Sequence, residues 1–158
     1  MPAAISVKLT LATTAPPSAV WAALEAAPRW REVLDNLSSA RIEPDGVLRA
    51  GAVMRSFAKP DSEAADMAYR VVEARRPRHL AIEAEVGHYR SRAVYAIEKS
   101  EDGAQVTLTA EIVPTRGIDR LVVFFARRRY IGKFHAGMLK RARAMLTLAE
   151  RIAQEQDD

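Results

Sequence analysis

Residues 5–11 alternate strictly, with Ile5, Val7, Leu9 and Leu11 on one side and Ser6, Lys8 and Thr10 on the other. That is the period of a strand buried on one face. Pro16-Pro17-Ser18 breaks the pattern and opens a short helix, whose Val20, Trp21 and Leu24 share a face. Ala26-Ala27-Pro28 interrupts this helix. Trp30, Val33, Leu34 and Leu37 then stand at helical spacing and predict a second short helix from Trp30 to about Leu37. From Ala40 to Pro114 the chain reads as strands separated by turns. The separators are Pro44-Asp45-Gly46, Lys59-Pro60-Asp61, Arg75-Arg76-Pro77, Gly87-His88 and Glu101-Asp102-Gly103.

Loop length fixes register. With Gly87-His88 as a two-residue loop, Val86 faces Tyr89, Ala84 faces Ser91, Ile82 faces Ala93 and Leu80 faces Tyr95. The other face is then mostly charged: Ala81, Glu83, Glu85, Arg90 and Arg92. A four-residue loop from Ser100 to Gly103 sets Lys99 opposite Ala104, Ile97 beside Val106 and Tyr95 beside Leu108. The Arg75–Arg78 connection, joined in the same way, brings Tyr69 near Ile82 and Met67 near Ala84. All three hairpins agree on one inner face, as an antiparallel meander with one wet side requires.

After Pro114-Thr115-Arg116-Gly117 the texture changes. Residues 118–155 contain no proline and predict a helix, with Phe134 or His135, Met138, Ala142, Met145, Ala149 and Ile152 as its apolar stripe. A straight helix of that length would span roughly 57 Å. A bend or break is therefore expected between Ala126 and Gly132, where Gly132 and Gly137 lower helix propensity.

The order of strand, two short helices, six antiparallel strands and a long C-terminal helix resembles the START-like superfamily, or SRPBCC. That group includes birch-pollen allergens, bacterial polyketide cyclase/dehydrase-like proteins and lipid-transfer domains. The resemblance is carried by Pro17-x-x-Val20-Trp21-x-x-Leu24, by Trp30, by Gly46-x-x-x-x-Gly51 leading into Val53-x-Arg55, and by Val72-Glu73-Ala74-x-x-Pro77-x-x-Leu80. It implies an α+β helix-grip fold. A curved seven-stranded antiparallel sheet would wrap around the C-terminal helix, with two short helices between strands 1 and 2 and an apolar cavity inside. It does not imply one activity, because the same fold carries, senses or cyclises different molecules.

Composition changes this picture little. A length of 158 residues suits a single domain over 1–158, and 49% hydrophobic with 28% charged residues is ordinary for a globular chain. There is no run of eighteen apolar residues, and no basic leader followed by an apolar core at the start. Zero cysteines leave no disulfide, thiolate ligand or cysteine nucleophile and fit a reducing compartment. Nineteen Arg against five Lys, with twenty-nine Ala, suggest a GC-rich bacterial genome. A bacterial, cytoplasmic protein is the expectation. The net charge of +4 is too small to argue for nucleic acid.

Candidate chemistry is sparse. His79, His88 and His135 lack the spacing of a metal site, so neither metal nor cofactor is expected. Asp45, Asp61, Glu101 and Asp102 are turn residues, while Glu83, Glu85, Glu98 and Glu111 fall on the outer face. Neither group forms the buried acid pair that hydrolysis needs. Ser91 has no recognisable histidine and acid partners. The inner face instead offers an apolar lining with a few hydroxyls, the usual make-up of a ligand pocket. Its residues are Tyr69, Ile82, Tyr89, Ser91, Tyr95 and Leu108 from the sheet, Phe57 or Met54 from an early strand, and Phe134, His135 and Met138 from the helix. Arg55, if inward, would pair with a ligand carboxylate. Trp30 would close the cavity mouth or anchor the short helices.

Three functions follow as expectations. The first is binding or carrying of a small hydrophobic molecule, lipid-like, aromatic or polyketide-like. The second is a cyclase or dehydratase working in the same cavity, which requires a polar group there with a shifted pKa. The third is an interaction module. Leu121-Val122-Val123-Phe124-Phe125 runs directly into Arg127-Arg128-Arg129. Apolar Phe124 and Phe125 beside Arg127, Arg128 and Arg129 suit weak contact with an anionic membrane. A solvated helix start is the plainer account of the same residues.

Overall fold

Strict alternation at the start of the chain becomes strand β1, Ile5–Thr13, in the computed structural model, which describes residues 5–62, 65–86, 89–115 and 127–157. Helix α1, Pro17–Glu25, follows. Its proline enters at the first turn, where a missing N–H costs nothing, and the Pro16 carbonyl accepts from the amides of Ala19 and Val20 at 3.0 and 3.1 Å. A 3-10 helix covers Ala27–Glu32. Strands β2 (Leu37–Glu43), β3 (Val53–Ala58), β4 (Met67–Arg75), β5 (His79–Val86), β6 (Tyr89–Lys99) and β7 (Ala104–Pro114) complete the sheet, and helix α2 spans Arg127–Asp157.

The sheet has seven antiparallel strands in the order β1-β7-β6-β5-β4-β3-β2. It curves around α2 in a helix-grip arrangement. The expected registers of β5, β6 and β7 are those observed, from Val86 opposite Tyr89 to Tyr95 opposite Leu108 and Lys99 opposite Ala104. Strand β4 differs. A one-residue bulge between Val71 and Glu73 interrupts the ladder, and Val71, not Tyr69, lies opposite Ile82. The slide is two residues, so Tyr69 keeps its inward face.

The second short helix also differs from its expectation. The turn begins at Ala27, tightens to 3-10 geometry and ends at Glu32, and Leu37 opens β2 instead of closing a helix. Trp30 explains the early stop. Its indole N–H donates to the Ala23 carbonyl at 2.9 Å, folding the turn back onto α1. The helix predicted over 118–155 is observed from Arg127 to Asp157. Its expected first part lies outside the described residues, as does the Gly87-His88 turn. The helix runs unbroken from Arg127 through Gly132 and Gly137, so the expected break is not found in the described part of its interval.

The core has two lobes. The larger joins α1, Trp30, the inner faces of β2–β7 and the C-terminal half of α2, where Leu148 and Ala149 have no exposed surface. Burying a leucine of this kind contributes about 1.5–3 kcal/mol. The smaller lobe joins Ile5, Val7, Leu9, Leu108 and Ala110 to Met138 and Ala142, with Ile131 and Phe134 packed at its edge. Leu11, Ala93 and Tyr95 border both lobes. A small void lies at that seam.

One glycine is demanded by a close approach. The Ser100–Gly103 loop presses against the end of β1, and a Cβ at Gly103 would collide with the Thr13 carbonyl oxygen and the Thr14 backbone. Backbone cannot step aside as a side-chain tip can. Gly103→Ala is therefore expected to destabilise the fold by about 1–3 kcal/mol in urea unfolding, with β1–β7 amide protection reduced. Unchanged stability would show that this contact is not tight in solution.

Candidate functional site

The inner face around the seam is built by alternation. On β6, Ser91, Ala93 and Tyr95 point inward between exposed Arg90 and Arg92. On β4, Tyr69 does so opposite Met54 of β3. Leu9, Leu11, Val20, Leu24, Val106, Leu108, Ala142, Met145 and Leu146 join Tyr95 around a void in which the centre of a water molecule has only about 10 Å³ to move. That is room for about one water. The enclosed interior is filled by the chain's own side chains. Beside it, Met67, Tyr69, Ser91 and Ala93 are only half-buried on the inner face.

A polar group stands at this opening. Arg141, on the flank of α2, donates from Nη1 to the Tyr69 hydroxyl at 3.2 Å. Tyr95 is close enough to interact with both groups. Burial first, and then the Tyr69 hydroxyl, push the Tyr95 phenol up to about 12, with Arg141 pulling weakly the other way. The result is a neutral phenol and a cation side by side on an otherwise apolar face. Such a pair can orient a ligand oxygen without itself being consumed.

The chain matches the family described as "Polyketide cyclase / dehydrase and lipid transport" over residues 4–147. The chain belongs to that family. It thereby falls in the SRPBCC helix-grip superfamily. No curated protein sequence matches it. Among solved structures it is similar to the di-domain ARO/CYC StfQ of the steffimycin biosynthetic pathway, at 11% identity and a TM-score of 0.73, over 98% of this chain and 52% of that one. It is also similar to Ara h 8.0201, at 9% identity and a TM-score of 0.69, over 96% and 99%. Norcoclaurine synthase from Thalictrum flavum, in complex with dopamine and hydroxybenzaldehyde, matches at 10% identity and a TM-score of 0.66, over 94% and 87%. These likenesses concern the fold. The chain spans about half the length of StfQ and of a second di-domain ARO/CYC, BexL of the BE-7585A biosynthetic pathway. It is similar to BexL at 17% identity and a TM-score of 0.70, over 95% of this chain and 50% of that one.

Within this member of the polyketide cyclase/dehydrase and lipid-transport family, the expected site residues divide by face. Tyr69, Ile82, Ser91, Tyr95, Leu108, Phe134 and Met138 stand on the inner face of the sheet or the inward stripe of α2, and half-buried Tyr89 packs on the smaller lobe. Trp30 is core, bonded to Ala23, and anchors the 3-10 turn. Arg55 and Phe57 are on the opposite face. Arg55 Nε lies 2.8 Å from Glu43 Oε2, and the Arg41 guanidinium sits 5.2 Å from the Phe57 ring centre. Arg55 and Arg41 hold the Glu43 carboxyl below the usual carboxylate range. Met54, 5% exposed, takes the inward position instead. His135 is exposed, and Phe134 faces the core in its place. Phe124 and Phe125 lie outside the described residues. So do the side chains of Arg127 and Arg128.

Arg141 was not among the expected residues. It stands three residues after Met138 and four before Met145, at the edge of the helical stripe. That spacing is the signal that could have found it. A second concavity, about 540 Å³ and wide open, crosses the outer face between Val53, Arg70, Glu83, Glu85 and Arg90. Its charges pair with one another, Arg70 with Glu83 at 3.3 Å and Arg90 with Glu85 at 3.8 Å. It offers no surplus charge to a guest.

The raised phenol makes a pH prediction. Folding lifts Tyr95 from the ordinary 10.0 to about 12, so the unfolded chain loses this proton first. The contribution is complete below pH 10 and is lost as pH rises toward 12. The loss is on the order of 2 kcal/mol. Urea unfolding between pH 9 and 12 should show a steeper decline for the native chain than for Tyr95→Phe. Equal slopes would place the phenol in water.

Proposed function

We propose that this protein binds a small hydrophobic molecule, aromatic or polyketide-like, between the inner face of the sheet and α2. The Arg141–Tyr69 pair and Tyr95 then orient an oxygen of the guest, best a carboxylate or a polarised carbonyl. The observation that carries this reading is the Arg141–Tyr69 hydrogen bond beside the neutral Tyr95 phenol, on a face otherwise made of Met67, Ala93 and aliphatic side chains. Family membership supports it, as does the fold shared with a synthase solved with dopamine and hydroxybenzaldehyde. A carrier needs no more than this. A cytoplasmic site of action suits a cysteine-free chain of which no described helix is long and apolar enough to cross a membrane.

A second reading, cyclisation or dehydration of an enolisable ketone, is favoured by one feature. A phenol held protonated through the neutral range donates a hydrogen bond to a carbonyl oxygen as negative charge develops there. In that case Tyr95→Phe abolishes turnover of an aromatic β-ketone while leaving its binding within about threefold, because only the transition-state contact is removed. Normal turnover in Tyr95→Phe removes this residue from the chemistry.

The binding reading predicts stoichiometric uptake of an apolar fluorescent probe and its displacement by an aromatic carboxylate. Arg141→Gln should weaken that displacer by about tenfold or more and leave its neutral amide unchanged, since hydrogen bonds to a charged group are the stronger kind. Ala93→Trp should abolish uptake in a protein that still folds. Overpacking a solid core costs about 1–3 kcal/mol, so near-native stability of this variant marks open space. Normal probe binding by folded Ala93→Trp would move the guest elsewhere.

A further inference from the structure

Helix α2 segregates its charge along its length. From Arg127 to Ala149 it holds seven Arg and Lys and no Asp or Glu, while Glu150, Glu155 and Asp157 lie in its last turns. This is the reverse of what the helix dipole favours, which is acid early and base late. The acidic end has work within the fold. Glu150 accepts from Thr13 Oγ1 at 2.9 Å, and Glu155 binds Arg29 at 2.8 Å. The described side chains of the basic half have almost none. Arg141 reaches Tyr69, and Arg129, Lys133, Lys140 and Arg143 form no ion pair among the described residues.

Spacing arranges these four cations. Arg129, Lys133, Lys140 and Arg143 follow one another at four, seven and three residues, so they share one line on the helix. That line lies diametrically opposite the buried Met138, Ala142, Met145 and Ala149, and all four residues are exposed. It runs about 21 Å along the axis. Exposed Ala136 and Gly137 separate its two halves, so no bulky side chain stands between the charges and a flat surface.

We propose that this ridge docks the protein on an anionic membrane surface. The inference is independent of the ligand reading. A nucleic acid would call for aromatic platforms or base-edge readers among the cations, and Ala136 and Gly137 stand there instead. An acidic protein partner would call for apolar anchors at the centre of the contact, and the ridge has none. A plane of lipid phosphate and carboxylate needs only a line of cations and an unobstructed approach. Attraction of this kind adds up per residue and fades with salt over roughly 10 Å at 0.1 M.

The test is co-sedimentation of the whole chain with phosphatidylcholine vesicles, with and without phosphatidylserine, at low salt. The protein should pellet with the anionic vesicles only, and raised salt should release it. Lys133→Glu with Lys140→Glu should lower the bound fraction by about tenfold or more. Arg92→Glu with Lys99→Glu changes net charge equally on exposed positions of β6, away from the ridge, and should keep binding within about twofold. Circular dichroism confirms that both pairs remain folded. Absence of pelleting, equal pelleting with neutral vesicles, or an equal fall in both double variants overturns the proposal. Tighter binding to duplex DNA than to vesicles at equal anion concentration overturns it in favour of nucleic acid.

Discussion

A seven-stranded antiparallel sheet with one charged face has one apolar face to hide, and in this protein α2, helped by α1 and the 3-10 turn after it, hides it. Everything else depends on how α2 lies in that concavity. Its C-terminal half is held at several points. Leu148 and Ala149 are wholly enclosed, Glu150 takes the Thr13 hydroxyl, and Glu155 with Glu32 brackets Arg29. Thr13 in turn accepts from the Ala15 amide at 3.1 Å, so one buried hydroxyl ties the end of β1, the approach to α1 and the helix together. Arg29 holds both Glu32 and Glu155 ionised below the usual carboxylate range.

The N-terminal half of α2 is covered differently. It meets the sheet through Ile131, Phe134 and Met138 over β1 and β7, in the smaller of two core lobes. The helix therefore reaches the sheet twice, and the space between the contacts is the seam bordered by Leu11, Ala93 and Tyr95. Small residues make this geometry. Ala93 and Ala142 leave the strand and helix backbones bare where a larger side chain would fill the gap. The polar group of the site is then a consequence of position. Tyr95 reaches the seam from below, Tyr69 from the adjoining strand and Arg141 from the helix flank. Burial first, and then Tyr69, raises the Tyr95 phenol, and Arg141 places one cation at the same opening.

Sequence pattern carried the meander because its hairpin loops are short. A loop of two or four residues leaves one choice of parity, and parity decides every side chain between Leu80 and Leu108. Where the connection is long, that constraint is absent. The Pro44–Ala52 segment between β2 and β3 leaves parity open, and the even-numbered Met54 turned inward while Arg55 and Phe57 turned outward. In β4 the observed pairing lies two residues from the expected one, which preserves faces, whereas the bulge between Val71 and Glu73 shifts the ladder by only one. His135 and Phe134 stood equally well on the helical stripe. The structure separates them by desolvation, since the aromatic ring gains from burial and the imidazole does not. Arg141 escaped notice because a charged residue beside an apolar stripe is usually just the solvated flank. Only the arrival of Tyr69 from a strand some seventy residues earlier gives it a role.

One helix thus serves two surfaces that do not interfere. The stripe from Phe134 to Ile152 covers the sheet and borders the seam, and the ridge from Arg129 to Arg143 lies on the far side of the same backbone. A helix is about 10–12 Å across with its side chains. Substitutions on the two faces have no shared partners and should combine additively in stability. Arg141 is the exception, standing on the flank between them. It belongs to the basic half of the helix by charge and gives its hydrogen bond to Tyr69 on the inner face, so a substitution there tests the inner face and not the ridge.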